Sequence, residues 1–261
     1  MPQSLKDDWK NGRTLFGVWC TMPGSVQAEF IAWQQPDYVC VDLQHGMIDH
    51  STSIPMVQAI TAGGSRPIVR VPWNQPAPIM AALDCGALGV VVPMVDDAEQ
   101  AAAAARACRY PPRGMRSYGP VRARQVHGST DPDVLEKVAC IVMVETAGGI
   151  RNAREIAETD GIDAIYIGPS DLALSMGMKP GQTTPESGFD DTIDAIREAC
   201  RDAGIAVGIQ APDGPTAARY REWGFDMITI GSDAPLMSAA IKNHLGVARG
   251  DVGATTSLGN Y

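Results

Sequence analysis

Two carboxylates stand at matching positions of successive segments in the middle of the chain. Glu145 ends the apolar run VMVE, and Asp171 lies in the turn GPSD that follows the apolar run AIYI. If both runs are parallel strands joined by a helix, their carboxyl ends lie side by side at one edge of a sheet. A pair of carboxylates in that position suits a hard divalent cation. Each acid alone could begin a loop or cap a helix, but together they predict a metal site.

Eight short apolar runs are predicted to be the strands that position these residues. The runs are nearly continuous in apolar residues, as expected of strands that are buried on both faces. They span residues 15–19, 38–43, 68–71, 88–92, 140–144, 164–167, 205–209 and 227–230, with helical patterns between them. A βα unit repeated eight times predicts a single-domain (β/α)8 TIM barrel. A doubly wound open sheet is the alternative, but no G-x-G-x-x-G motif follows the first strand.

The length and composition restrict both the domain organisation and the class of function. We expect residues 1–246 to form the barrel and residues 247–261, which lack an amphipathic pattern, to form a tail. The formal net charge is −9 and no basic run occurs, so nucleic acid is not an expected partner. No apolar run approaches the length of a membrane span, and we expect a cytoplasmic protein. The six cysteines form no C-x-x-C pair, which favours buried reduced thiols over a disulfide or zinc site.

Polar side chains follow the second and third strands of the predicted barrel. The second strand ends in VDLQHG, which brings Asp42 and His45 to the carboxyl rim, and the third strand brings Arg70. Active sites of such barrels lie at this rim. His45 could be an ordinary loop histidine, and Arg70 could form a structural ion pair with Asp42. Beside a metal site, however, they supply the parts of enolate chemistry: a cation that polarises a 2-oxo acid, a guanidinium that stabilises the enolate, and an imidazole that moves the proton.

The GPSD turn is a candidate binding site for a carboxylate. A helix that begins here presents free backbone N–H groups, so Gly168, Pro169, Ser170 and Asp171 are candidates for binding a substrate carboxylate. A simple helix start with proline at its first position would use the same residues.

A Schiff-base lysine is the rival aldolase mechanism. The chain has five lysines, and none falls at the carboxyl end of a predicted strand. This distribution argues against an imine mechanism.

One predicted connection is much longer than the others. Residues 109–130, RYPPRGMRSYGPVRARQVHGST, contain five arginines and no clear periodicity. A loop of this size in a compact domain is usually functional or a partner contact. Because it follows the fourth strand and its helix, we expect it to cross back over the barrel or to reach a neighbouring subunit.

Six motifs, in this order and spacing, resemble the HpcH/HpaI family of metal-dependent pyruvate-type aldolases. They are VDLQHG, VRVPW, LDCGALGVVVPMV, RYPPRGMRSYG, VMVETAGG and IGPSDLALSMG. The resemblance covers roughly residues 15–241. It implies a (β/α)8 barrel, commonly assembled as a hexamer, that uses Mg²⁺, Mn²⁺ or Co²⁺ for reversible aldol chemistry on 2-oxo acids.

The resemblance also implies roles for individual residues. Glu145 and Asp171 match the metal ligands, His45 matches the acid/base group, and Arg70 matches the enolate stabiliser. The backbone N–H groups of Ser170 and Asp171 match those that hold the substrate carboxylate.

Asp84, in the motif LDCG, raises a geometrical problem. It matches the acid that family members use to raise the basicity of the histidine. However, it precedes the fourth strand, where an αβ loop lies on the face opposite the catalytic rim. We therefore expect Asp84 to come from a partner subunit or to follow an irregular path.

Two positions depart from the pattern of family members that resemble hydroxy-oxoheptanedioate aldolases. Those members have Glu before the histidine and Gln two residues before the metal-binding Glu, whereas this chain has Gln44 and Met143. Both differences bear on the choice of donor and acceptor. Asp42 and Gln44 are expected to lie behind the residues that contact metal and substrate, and to support them.

The predicted reaction is the reversible cleavage of a 4-hydroxy-2-oxo acid to pyruvate or hydroxypyruvate and an aldehyde. His45 would take the 4-hydroxyl proton, and cleavage of the C3–C4 bond would leave an enolate stabilised by the metal and Arg70. An acyl-CoA lyase of the related citrate lyase and malyl-CoA branch is one alternative, and a non-catalytic binding barrel is another. Acceptor choice is expected to depend on residues 210–213 and on the arginine-rich segment. The aldehyde, the donor, the stereochemistry and the preferred metal stay open.

Overall fold

The computed structural model describes residues 4–181 and 188–250 and has eight parallel strands in a closed barrel. Each strand pairs with its neighbours in sequence, and the eighth pairs with the first. The strands are β1 Leu15–Cys20, β2 Tyr38–Asp42, β3 Arg66–Arg70, β4 Gly89–Val92, β5 Ala139–Val144, β6 Ala164–Ile167, β7 Ala206–Gln210 and β8 Met227–Ser232. The predicted single-domain (β/α)8 barrel is confirmed.

The helices lie outside the barrel, apart from short elements at its two ends. They are α1 Leu5–Lys10, α2 Ser25–Ala32, α3 His50–Ala62, α4 Pro76–Asp84, α5 Ala98–Cys108, α6 Ala123–His127, α7 Pro132–Leu135, α8 Ala147–Arg151, α9 Ala153–Ala157, α10 Pro169–Ser175, α11 Phe189–Ala203, α12 Gly214–Trp223 and α13 Asp233–Arg249. Within the described parts of the chain, no helix is long and apolar enough to cross a membrane.

Alternate residues of each strand face the helices and the inside of the barrel. Val39 and Val41 of β2 pack in the outer core beneath the helices, whereas Tyr38 and Cys40 pack in the barrel interior. Full burial of an aliphatic side chain stabilises the fold by about 1.5–3 kcal/mol, so continuous apolar runs suit strands covered on both faces. The inward rows end at the carboxyl rim, and the inward position that ends β2 is Asp42.

The arginine-rich segment 109–130 stays at the amino-terminal face of the barrel and includes α6. Its side chains are held by groups of that face: Arg116 pairs with Asp84 at 2.7 Å, and Arg109 pairs with Asp163 at 3.1 Å. The expectation that this segment crosses back over the barrel is therefore wrong within one chain. Helix α5 delivers the segment to the amino-terminal face, and these ion pairs keep it there.

The last helix, α13, ends at Arg249, three residues beyond the predicted domain boundary at residue 246. Gly246 is buried inside the helix, and Gly250, with φ of +79°, ends it in the left-handed conformation that favours glycine. The predicted tail beyond Gly250 lies outside the described residues.

All six cysteines are buried and none forms a disulfide. The predicted burial of the cysteines is confirmed, and their reduced state stays a prediction.

Candidate active site

Arg70 and Asp42 form a buried ion pair at the rim, where they are register partners at the ends of β3 and β2. Nε of Arg70 donates to Oδ1 of Asp42 at 2.8 Å, and Nη2 donates to Oδ2 at 2.6 Å. The Trp19 ring lies against the guanidinium, with 4.4 Å between its centroid and Cζ. This bidentate bond and the aromatic face fix the plane of the guanidinium.

The remaining nitrogen of Arg70, Nη1, is the one that is placed to bind a ligand. Its contact in the structure is Sδ of Met143 at 4.0 Å, and a thioether is a weak acceptor. Burial alone would lower the pKa of Arg70, but the hydrogen bonds and charge of Asp42 outweigh it and hold the pKa above its ordinary value. The structural ion pair with Asp42 is thus present, and it orients a permanent cation whose Nη1 is left with a thioether as its contact.

The loop after β2 is fixed by the same carboxylate. Oδ1 of Asp42 accepts from the backbone N–H of Gln44 at 3.0 Å and of His45 at 3.2 Å. The loop turns tightly at Gly46, where a Cβ would lie 2.2 Å from the carbonyl oxygen of Asp42. The His45 side chain is exposed at the rim. Asp42 therefore supports both Arg70 and the loop that carries His45.

Glu145 follows β5 and is 2% exposed. Its Oε1 accepts from the backbone N–H of Met94 at 2.9 Å, and Met94 adopts a left-handed φ of +57° to reach it. Burial raises the pKa of Glu145 to about 7, and the nearby carboxylates Asp171 and Asp96 add to this against the opposing effects of Met94 and Arg70. Two of the predicted site residues, Glu145 and Asp171, are thus close enough for their charges to interact.

Glu145 and Asp171 supply oxygen donors of the kind that a divalent cation prefers. Oε2 of Glu145 lies against Gly168, where a Cβ would be only 2.2 Å away, so a side chain at this position would occupy the place beside this oxygen. Among the described residues, no group of three His, Cys, Asp or Glu side chains could hold a metal ion. Two carboxylates are nevertheless a sufficient protein contribution for an ion such as Mg²⁺, which keeps other positions for substrate and water.

The turn GPSD forms the beginning of α10 as predicted. Gly168 is the N-cap, Pro169 occupies the first turn and Asp171 is the acidic residue there. Backbone N–H groups in the first turn of a helix have no partner inside the helix, so those of Ser170 and Asp171 are oriented for an anionic group. Pro169 has no N–H and cannot donate to a carboxylate, so its contribution is limited to the shape of the turn.

Comparison with known proteins agrees with this geometry. The model of the HpcH/HpaI aldolase/citrate lyase family matches residues 15–240. The chain belongs to this family. A hydroxypyruvate/pyruvate aldolase from Rhizorhabdus wittichii is 39% identical, with 92% of this chain and 96% of that protein covered. A 4-hydroxy-2-oxo-heptane-1,7-dioate aldolase from Klebsiella pneumoniae subsp. pneumoniae is 35% identical, with 91% of each covered.

A solved structure of a family protein from Burkholderia cenocepacia superposes with a TM-score of 0.85 at 31% sequence identity. The match covers 94% of this chain and 98% of that one. Family, relatives and fold together mark the chain as a lyase enzyme of the aldolase type.

Within one chain of this HpcH/HpaI family member, Asp84 and His45 are not brought together. Asp84 ends α4 at the amino-terminal face, where it pairs with the buried Arg116, whereas His45 lies at the carboxyl rim. Helix α4 runs from one face to the other, which explains the separation. The path of Asp84 is regular, so the expected irregular path is wrong, and a contribution from a partner subunit stays a prediction.

Trp19 is a site residue that the sequence interpretation missed. It occupies the last inward position of β1 and supports Arg70, and its ring contacts that of Tyr166 in the barrel interior in a tilted arrangement, with 5.5 Å between the centroids. In the sequence it is one more large apolar residue in the run LFGVWC. The available signal is its place at the carboxyl end of a strand, the same signal that identified Arg70.

Proposed function

We propose that this protein is a divalent-metal-dependent aldolase that reversibly cleaves 4-hydroxy-2-oxo acids to pyruvate or hydroxypyruvate and an aldehyde. The observation that carries the proposal is the meeting at one rim of Arg70, whose Nη1 has the weak acceptor Sδ of Met143 as its contact, with the carboxylates Glu145 and Asp171. One relative is named as an aldolase of 4-hydroxy-2-oxo-heptane-1,7-dioate, a compound of this class, and the other as an aldolase of hydroxypyruvate and pyruvate.

Glu145 and Asp171 would hold the cation, which we propose to be Mg²⁺, Mn²⁺ or Co²⁺. When bound, the cation withdraws electrons from the ketone of a 2-oxo acid and so lowers the free energy needed to form the enolate. Gly168 contributes by leaving room beside Oε2 of Glu145.

Arg70 stabilises the oxygen that becomes negative. Its Nη1 donates to the ketone oxygen of the substrate, and the bond strengthens as the enolate forms. Because Asp42 and Trp19 already fix the guanidinium plane, little reorganisation is needed during the reaction. The N–H groups of Ser170 and Asp171 hold the substrate carboxylate and thereby orient the ketone toward Arg70.

His45 moves the proton at the other end of the substrate. In the cleavage direction it accepts the proton of the 4-hydroxyl group, the C3–C4 bond breaks, and the electron pair of that bond passes to the enolate. In the synthetic direction His45 returns the proton to the aldehyde oxygen. Its exposed place at the rim lets it face an aldehyde that enters from solvent.

An acyl-CoA lyase is less well supported than an aldolase. Such an enzyme needs cations near the rim for a nucleotide-bearing ligand, and the arginines of segment 109–130 lie at the opposite face. The same position argues against a role for this segment in acceptor choice within one chain. Gln210 and Pro212, by contrast, line a cavity of about 340 Å³ that also touches Ser170, which supports their part in binding the aldehyde.

We further propose that copies of the chain assemble, as a homohexamer, in the cytoplasm. Helix α13 exposes a row of apolar side chains that a neighbouring copy could cover: Leu236, Met237, Ile241 and Leu245, each 46–52% exposed. Six unpaired cysteines agree with a reducing compartment.

Metal-dependent release of pyruvate from 4-hydroxy-2-oxoheptanedioate tests the proposal. The purified protein is treated with EDTA, dialysed and assayed with and without Mg²⁺ or Mn²⁺, and pyruvate is detected through lactate dehydrogenase and NADH. Pyruvate release that requires the metal and is indifferent to added CoA supports the proposal. Activity that survives complete metal removal, or that appears only with a CoA thioester, contradicts it.

A further inference from the structure

Met143 lies between Arg70 and the turn that begins α10, the two places to which the proposed function assigns the ends of a 2-oxo acid. It is the inward residue of β5 two positions before Glu145, and it is 2% exposed. Its Sδ is 4.0 Å from Nη1 of Arg70, and its Cε is 3.0 Å from the place of a Cβ on Gly168. The thioether therefore spans the distance between the guanidinium and the turn that begins α10.

These two neighbours are the groups that hold the two ends of the donor in the proposed function. In the proposed function, the carboxylate of a planar 2-oxo acid binds the N–H groups of Ser170 and Asp171, and its ketone oxygen binds Nη1 of Arg70. A molecule that joins these two places would pass beside the side chain of Met143. Thioether sulfur accepts hydrogen bonds weakly and donates none. The side chain of Met143 is therefore an apolar neighbour for the donor, and it hardly competes with the substrate for Nη1.

We infer that Met143 selects the donor, so that the pocket prefers 2-oxo acids with hydrogen or alkyl at C3, such as pyruvate and 2-oxobutanoate, over hydroxypyruvate. A C3 hydroxyl that loses its water over a thioether gains no partner in return, and that loss disfavours binding. A glutamine at this position would offer such a hydroxyl both a donor and an acceptor. This inference rests on the proposed function and narrows its donor class.

The test compares M143Q with the matched variant M143L, which keeps the volume and the apolar character. Exchange of C3 hydrogens for deuterium is followed by proton NMR in D₂O with Mg²⁺, for pyruvate and for hydroxypyruvate separately. M143Q should lower the ratio of pyruvate to hydroxypyruvate kcat/KM by about two- to tenfold, the effect of one hydrogen bond. In M143L the same ratio should stay within about twofold of the wild-type ratio, because leucine, like methionine, offers a C3 hydroxyl no hydrogen-bond donor. An unchanged ratio in M143Q, or an equal change in both variants, overturns the inference.

Equilibrium binding to the wild-type protein gives a second readout that needs neither turnover nor a folded variant. Titration calorimetry with Mg²⁺ present should give a lower Kd for pyruvate than for hydroxypyruvate, and the reverse order contradicts the role of Met143. Failure of the proposed function looks different, because the wild type would then exchange the C3 hydrogens of neither acid. If the wild type exchanges these hydrogens but M143Q has the same ratio of pyruvate to hydroxypyruvate kcat/KM, the role of Met143 is wrong and the aldolase assignment stands.

Discussion

The two faces of the barrel both carry clusters of arginine and carboxylate, but they differ in how the charges are balanced. At the amino-terminal face, Asp163 lies 2.6 Å from Lys6 and 3.1 Å from Arg109, and it also accepts from the backbone N–H of Cys140. At the carboxyl rim, Glu145 accepts from a backbone N–H and has Asp171 as a neighbour, which adds to the rise in its pKa. The first cluster is neutralised internally, whereas in the proposed function the second would be completed by a bound cation.

This difference separates stabilising from functional charge on the same fold. A buried carboxylate that is paired with cations and N–H groups holds elements together, and breaking such a pair is costly. A buried carboxylate beside another carboxylate lowers stability in the metal-free protein, and such sites are typical of binding or catalysis. Substitutions at the two faces should therefore have opposite consequences for stability and activity.

The largest expected effect is the loss of metal binding in E145Q and in D171N. Each substitution removes one of two anionic ligands and keeps the shape of the side chain, so Mg²⁺ binding by calorimetry and C3 exchange should both fall to background. The matched variant at the other face, D163N, should keep both properties and show a lower Tm, because Lys6 and Arg109 lose their partner. Metal-dependent exchange that persists in E145Q or D171N removes that residue from the metal site.

Substitution of Arg70 should reduce the C3 exchange rate by about 10²–10³-fold, as the loss of one donor to a developing oxyanion does. R70K is the informative variant, because lysine keeps the charge but cannot reproduce the bidentate bond to Asp42. We expect most of the loss in R70K as well, with Mg²⁺ binding retained. A lysine variant with wild-type kcat would show that charge alone is sufficient and that the fixed guanidinium plane has no importance.

A mixed assembly tests whether Asp84 reaches the site of another copy. H45A and D84N should each be weakly active alone, because each lacks one member of the proposed pair. Equal amounts dissociated and reassembled together should recover up to about a quarter of wild-type activity, since that fraction of sites combines an intact His45 with an intact Asp84 from a neighbour. D84N is preferred to alanine because it retains a partner for Arg116. No recovery in verified mixed oligomers contradicts the contribution in trans.

The smallest expected effect concerns stability and pH in the metal-free protein. The pKa of Glu145 is raised from 4.5 to about 7 on folding, so its proton favours the folded state below pH 4.5 and this contribution is lost as the pH rises through about 7. E145Q stays neutral, and above pH 7 it should exceed the wild type in free energy of unfolding by up to roughly 3 kcal/mol. The difference should vanish near pH 4.5.

Denaturant unfolding without metal measures this difference, with the exposed E155Q on α9 as the control for loss of a charge. If the free energies of unfolding of E145Q and the wild type differ by a constant amount from pH 4.5 to pH 8, the account is contradicted. A lower free energy of unfolding for E145Q than for the wild type above pH 7 contradicts it as well, because burial is expected to disfavour the ionised Glu145.

The strands and most of the rim could be predicted because both follow from local patterns. Continuous apolar runs mark strands covered on both faces, and Asp42, Arg70 and Glu145 each close such a run at its carboxyl end. The arginine-rich segment could not be placed in this way, because its position depends on ion pairs with Asp84 and Asp163, which lie far away in sequence.

Contacts across several strands were also beyond the sequence. Trp19 belongs to β1 and Arg70 to β3, and nothing in either run indicates that the indole supports the guanidinium. The contact of Met143 with Nη1 likewise joins β5 to β3 across the barrel interior. Such pairs depend on the stagger and closure of the barrel and on rotamers, which the spacing of residues along one strand does not contain.

Exchange of the pyruvate methyl hydrogens in D₂O tests the central claim most directly, because it requires the enolate and no aldehyde. Proton NMR should show the methyl signal of pyruvate persisting with EDTA-treated protein and disappearing after Mg²⁺ is added, at a rate that R70K reduces. Persistence of the signal with both Mg²⁺ and protein present, under conditions where calorimetry shows that the metal is bound, would contradict an enolate-forming site at this rim.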